Sequence, residues 1–253
     1  MSNMSIQQYV RDDNVQKRIT ELLKNRAPQF TTSLVTAVNE NAKLAECEPQ
    51  SVITAALTAA SMDLPINQNL GFAYLIPYNN KNGSVCQFQM GYKGFIQLAQ
   101  RSGYYKTINV TEVREGELKG IDRLSGDVEF EWIDDDKVRN KSKIIGYVAY
   151  IRLLSGFEKS LYWSVEECEN HAKKFSKSYK FGSGIWKDDF DSMAKKTVLK
   201  QLLNKYGPLN TQLQEAIIKD QSVDGEYIDN PNYSEPVVIE GAELGSSEDE
   251  RDK

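Results

Sequence analysis

Two groupings of side chains in this sequence could do chemistry. The first pairs cations with aromatic rings. Between His171 and Trp186, Lys173, Lys174, Lys177 and Lys180 alternate with Phe175, Tyr179, Phe181 and Trp186, and no acid intervenes. Lysines can follow a phosphate backbone, and ring faces stack bases of any sequence at about 1–3 kcal/mol each. The pattern therefore points to single-stranded nucleic acid. The plain alternative is a solvated loop, and Trp186 is the ring expected in the core.

Two helical segments carry similar faces. In residues 91–103, Tyr92, Phe95, Ile96 and Ala99 fall at i, i+3, i+4 and i+7, an inward stripe. The opposite side holds Lys93, Gln97, Gln100 and Arg101: two cations, two amides and no acid. Such a face suits phosphate, since cations neutralise it and amides bond its oxygens. In residues 190–206, Lys195, Lys196, Lys200 and Lys205 follow an acidic start. Lys200 and Lys205 can simply complement the helix dipole, whereas Lys196 and Lys200 at i, i+4 repel mildly unless an anion sits between them. The two helices are expected to line one groove. The competing expectation is that Arg101 pairs with an acid such as Glu112.

The second grouping is carboxylate. Asp127, Glu129 and Glu131 alternate along one strand, followed by Asp134, Asp135, Asp136 and Lys137. Carboxylates with a lysine could hold Mg²⁺ for phosphodiester cleavage, although period-2 acids more often form a strand's solvent face. Other chemistries have less material. His171 is the single histidine, so a multi-histidine metal site is excluded. The cysteines Cys47, Cys86 and Cys168 form no CxxC pair and read as free buried thiols. No G-x-x-x-x-G-K-[ST] run and no GxSxG elbow occurs, which disfavours a P-loop ATPase and a serine hydrolase. A binding protein without catalytic turnover is the better expectation, with no metal site and no required cofactor; Mg²⁺ enters only as a counterion of DNA.

The elements that position these groups read as α+β. Helices are expected before residue 62: one ending at Pro28, a second over about 32–45 and a third from Pro49. Residues 72–90 read as a hairpin turning through 79–83, followed by a helix from Gly91 to Ser102. Strands are expected near 104–113, 127–133, 144–154 and 157–163, with 134–143 a charged connection. Ser164 and Glu167 make a capping-box pattern for a helix over 165–175. Residues 176–186 read as a loop, 190–206 as a strong helix ended by Gly207-Pro208, and 210–219 as a weaker helix. Runs of strands and helices in this order make α+β rather than doubly wound α/β.

Charge divides the chain. Its 253 residues carry a net −5, yet residues 224–253 hold ten acids and two bases, leaving 26 acids and 29 bases elsewhere. A mildly basic body with an acidic tail results. The expected division is an N-terminal helical arm (1–30), a DNA-binding and oligomerisation core (31–222) and a disordered acidic tail (223–253). No apolar run spans a membrane and no signal peptide opens the chain, so a cytoplasmic location is expected.

The segments GYKGFIQLAQRSGYYKTI (91–108), SLYWSVEECENHAKKFSKSYK (160–180) and IWKDDFDSMAKKTVLKQLLNKYG (185–207) together resemble the RecT family of phage single-strand annealing proteins, and in particular prophage members from Gram-positive hosts. The resemblance spans about 30–220. It implies ATP-independent annealing of complementary strands by rings or helical filaments, a phage 5′→3′ exonuclease as partner, possible contact with a host single-strand-binding protein, and a β-β-β-α core related to Rad52-like annealers. It carries DNA contact to Lys93, Arg101, Lys106, Lys173, Lys174, Lys177, Tyr179, Lys195, Lys196 and Lys200. Tyr92, Gln97, Gln100 and Lys180 join them from the residue patterns above.

Overall fold

The computed structural model describes residues 4–80, 83–182 and 184–208, together with Gln214, Ile217 and Ile218. The acidic tail and most of the weak helix expected over 210–219 lie outside them. Helices and antiparallel sheets are mixed in the α+β manner expected.

Five helices open the chain: α1 (Ile6–Val10), α2 (Asp13–Leu23), α3 (Ala27–Glu40), α4 (Ala42–Ala45) and α5 (Pro49–Ser61). α1 starts in a capping box, in which Ser5 Oγ accepts from the Gln8 N–H and the Gln8 side chain accepts from the Ser5 N–H. Pro28 was expected to stop a helix. Instead it sits in the first turn of α3, where its missing N–H removes no intrahelical bond. The helix expected across 32–45 breaks at Asn41, whose side chain accepts from the Lys43 N–H and starts α4. Ile6, Val10, Ile19 and Leu23 join Leu34, Val52 and Ala56 in one buried core.

The hairpin follows as β1 (Ala73–Asn80) and β2 (Gly83–Met90), pairing from Ala73 opposite Met90 to Asn80 opposite Gly83. It is tied back to the helices: the Glu48 N–H donates to the Ser84 carbonyl at 2.8 Å and the Cys86 N–H to Ser51 Oγ at 2.9 Å. α6 (Tyr92–Arg101) leads into the main sheet.

That sheet is antiparallel in the order β3 (Tyr105–Arg114), β6 (Ile144–Leu153), β7 (Glu158–Ser164). Between β3 and β6 lies a hairpin of β4 (Leu118–Ile121) and β5 (Val128–Phe130), then the single turn α7 (Asp136–Arg139). β4 and α7 escaped the sequence reading because each is about one turn or one short strand long, too brief to show a period. After β7 come α8 (Val165–Phe175), the short α9 (Lys177–Lys180) and α10 (Ile185–Asp188), and α11 (Phe190–Tyr206). The segment expected as loop over 176–186 thus holds two short helices. Disregarding the small hairpin and the single turn α7, β3, β6, β7 and α8 follow in strand-strand-strand-helix order.

Register assigns the sheet's two faces. Val110, Ala149 and Leu161 lie side by side, as do Asn109, Tyr150 and Ser160 one residue along. α11 packs on β3, β6 and β7 and against α6, burying Ala194, Val198, Leu199, Leu202 and Leu203. Each fully buried leucine contributes roughly 1.5–3 kcal/mol. Cys47, Cys86 and Cys168 are buried and free, as expected.

Candidate nucleic-acid interface

α6 is placed by close backbone approach. A Cβ on Gly91 would meet the Gly71 carbonyl oxygen at 2.1 Å, and one on Gly94 the Phe72 carbonyl oxygen at 2.4 Å. The two glycines of the GYKG segment therefore let α6 lie directly on the chain entering β1. Phe95, Leu98 and Ala99 face the core, with Tyr92 and Ile96 half-buried beside them. Lys93 and Gln100 are exposed and Gln97 is half-buried. Gly103, at φ +75°, ends the helix in a conformation glycine adopts readily.

Arg101 does more than present a charge. Its guanidinium donates to the Met62 carbonyl at 2.9 Å and the Asp63 carbonyl at 2.8 Å, and lies 3.6 Å from the Asp63 carboxylate. It thereby satisfies carbonyls where α5 ends. The acid it meets is Asp63, not Glu112. Arg26 also reaches Asp63, at 2.6 Å.

Glu112 belongs to a network joining β3, α7 and α11. Lys195 Nζ lies 2.9 Å from its carboxylate, and Arg114 and Arg139 approach at 3.6 and 3.5 Å. Burial alone would raise the Glu112 carboxyl, but hydrogen bonds from Lys195 and the backbone, with the charges of Lys195 and Arg139, bring it down to about 2. Glu117 is fully buried. It accepts from Arg139 Nε at 2.6 Å and from the Arg114 N–H at 2.7 Å. Burial opposes its ionisation, yet these bonds and the Ile133 N–H hold its carboxyl below the usual range.

α6 and α11 pack together, but the lysines of α11 are disposed unequally. Lys195 is engaged by Glu112. Lys196 is only 6% exposed, Lys200 is half-buried, and Lys205 is exposed with Nζ 5.1 Å from the Tyr206 ring.

The rings of the basic segment gather around His171. Its imidazole lies 4.5 Å from the Phe175 ring, 5.4 Å from Trp163 and 6.4 Å from Trp186, and Tyr179 meets Trp186 edge-on. Burial, reinforced by the charges of Lys200 and Lys174, lowers the His171 imidazole to about 4. Trp186 is buried, as expected. Phe181 is the exception among these rings, at 86% exposed. Lys173, Lys174 and Lys180 are exposed; Lys173 lies 3.4 Å from Glu169 and Lys174 lies over Phe175. The Lys177 side chain lies outside the described residues. Lys106 is exposed on β3.

The alternating carboxylates do not converge. Asp127 pairs with Lys159 at 2.9 Å and Glu131 with Lys119 at 2.7 Å. Among the described residues no three of His, Cys, Asp and Glu gather as metal ligands would. On the same hairpin, Phe130 and Trp132 stack with centroids 4.9 Å apart. Neither ring is singled out by the basic or carboxylate patterns of the sequence, though their alternation with Glu129 and Glu131 is a local signal of a shared strand face.

The chain is 45% identical over 240 residues to the uncharacterized protein YqaK of Bacillus subtilis, covering 95% of this chain and 80% of that protein. It is 25% identical over 236 residues to Protein RecT of Escherichia coli, covering 87% of this chain and 82% of that one. The family model of the RecT family matches residues 28–235. The chain belongs to the RecT family.

Proposed function

We propose that this protein binds single-stranded DNA and anneals complementary strands in recombination, without ATP and without making or breaking a covalent bond. The observation that carries the reading is the RecT family match across residues 28–235. The geometry supports it with exposed cations on α6, β3, α8 and α9, namely Lys93, Lys106, Lys173, Lys174 and Lys180. In this reading phosphates are held by lysine, bases stay available, and complementarity is tested by Watson–Crick pairing. Affinity then falls steeply with salt and depends little on sequence.

Annealing aligns many consecutive bases, more than one body's surface can track, so the active form is a head-to-tail ring or filament. Residues 1–30 act as a helical arm, 31–222 as the DNA-binding and oligomerisation core, and 223–253 as an acidic tail that competes with DNA or recruits partners. A 5′→3′ exonuclease and a host single-strand-binding protein are the expected protein partners, in the cytoplasm; no described helix is long and apolar enough to cross a membrane. Mg²⁺ serves as a counterion of DNA.

The test mixes complementary oligonucleotides with the protein, with and without ATP, across a salt series, and images the products by electron microscopy. Annealing that is indifferent to ATP, weakened by salt and accompanied by rings or filaments is the expected result. Strong ATP dependence, or annealing by a monomer, would overturn it.

A further inference from the structure

The face of the main sheet turned away from α11 carries a cavity of about 550 Å³ covered by the β4–β5 hairpin, within the roughly 300–1,000 Å³ range of ligand pockets. The sheet side presents Asn109 beside its cross-strand partner Tyr150, which in turn faces Ser160. The hairpin side presents the stacked rings of Phe130 and Trp132, 21° from parallel. Arg139 closes the cavity, its guanidinium 5.8 Å from the Trp132 ring centre.

Three properties select the ligand. Trp132 stays 43% exposed, so part of its ring remains accessible from the cavity, and flat aromatic molecules fit such surfaces best. The cavity is poor in available charge. Arg139 is the one Asp, Glu, Lys, Arg or His in its lining, and its donors are already engaged: Nε donates to the Glu117 carboxylate at 2.6 Å and Nη2 to the Glu112 carbonyl at 2.9 Å. A phosphate gains little there. Finally, the side chains of Asn109 and Ser160 make no hydrogen bond to another described residue. An amide and a hydroxyl both donate and accept without charge, which matches the edge of a base.

We propose that this cavity takes one unpaired nucleobase of the bound strand against the Phe130 and Trp132 rings that line it, its edge facing Asn109 and Ser160. The inference rests on the single-strand reading above and adds a base-binding subsite distinct from the lysine surface. Both Asn109 and Ser160 can donate or accept, so the site tolerates any base. Phosphates stay outside, on the exposed lysines.

The test uses the full-length protein with three probes: an oligothymidylate, an abasic phosphodiester strand of equal length, and an oligothymidylate carrying 5-iodouracil. The abasic strand should bind about 5- to 150-fold more weakly for each stacked base it lacks. Iodouracil should cross-link to peptides within 128–139. Trp132→Ala should lose the DNA-induced quenching of tryptophan fluorescence while its salt slope stays unchanged, and Trp132→Tyr should recover most of the affinity. If Trp132→Ala does not fold, the Tyr variant and the cross-link map decide. Equal affinity for the abasic strand, cross-links confined to other segments, or a second copy of the chain cross-linked in the cavity would overturn the proposal. In those cases the salt-dependent binding of the parent protein still stands. A parent protein that binds neither strand would instead remove the single-strand reading itself, and this subsite with it.

Discussion

The guanidinium of Arg139 lies over the ring of Trp132 while its Nε donates to Glu117 at 2.6 Å. One side chain thus joins a fully buried carboxylate to a partly exposed aromatic stack. The charge network of β3 and the open cavity over the sheet are mechanically one unit.

Removing the carboxylate charge tests that unit. Glu117→Gln leaves Arg139, 18% exposed, with only the more distant Glu112 carboxylate, at 3.5 Å, to balance its charge. Breaking a buried pair by removing one partner costs about 3–5 kcal/mol, while shape is nearly retained. Thermal melting should show a drop of roughly 6 °C or more for a domain of this size. An unchanged melting temperature would mean that Glu117 contributes no net interaction with Arg139.

Lys93 and Arg101 should separate under substitution, although both sit on the polar side of α6. Lys93 is exposed, so Lys93→Ala should keep the melting temperature, weaken single-strand binding and lower the salt slope by roughly 0.7 for one lost phosphate contact. Arg101→Ala removes donors to the Met62 and Asp63 carbonyls and should cost about 1–3 kcal/mol of stability whatever it does to DNA. Calorimetry beside a salt titration distinguishes the two; equal melting losses would contradict the assignment.

Gly94→Ala sets helix propensity against packing. In an exposed helix the change gains up to about 1 kcal/mol. Here the new Cβ would meet the Phe72 carbonyl oxygen at 2.4 Å and Met90 Cγ at 2.8 Å. Methionine can move but backbone cannot, so overpacking at about 1–3 kcal/mol wins. Denaturant unfolding should show a lowered midpoint; a raised one would mean that the chain before β1 yields.

Acid should destabilise the protein in two stages. His171 falls from its ordinary 6.5 to about 4 in the fold. The unfolded chain therefore binds the proton first, and the contribution of the neutral imidazole, present above pH 6.5, is lost as pH falls to about 4. The shift corresponds to on the order of 3 kcal/mol. Glu112, lowered from 4.5 to about 2, adds a second loss between those values. His171→Gln should flatten the pH dependence between 6.5 and 4 and leave the lower stage in place. A parallel curve for the variant would assign the first stage elsewhere.

Phe181 offers a cleaner probe of the basic segment than its neighbours. It is 86% exposed, so Phe181→Ala should leave the melting temperature unchanged. If it stacks a base, single-strand affinity falls by about 1–3 kcal/mol, read by anisotropy. Unchanged affinity would leave the segment to lysine contacts alone.

By itself the sequence determined what local rules govern. The capping box at Ser164 and Glu167 starts α8 where expected, because both partners lie within one turn. The apolar stripe of Phe95 and Ala99 faces inward, because helical period is intrinsic to the backbone. The α+β class followed from the order of such elements, and the family from three quoted segments. The tertiary structure alone decided which charges remain available. Lys195 and Lys196 are neighbours on a lysine-rich helix, yet one meets Glu112 from β3 and the other is buried. Period gives the direction of a side chain from its own helix axis, not what a distant segment places opposite it. The rings around His171 came together for the same reason: Trp163 on β7, Phe175 on α8 and Trp186 on α10 lie on separate elements, but burial of apolar area, which ignores chain separation, collected them.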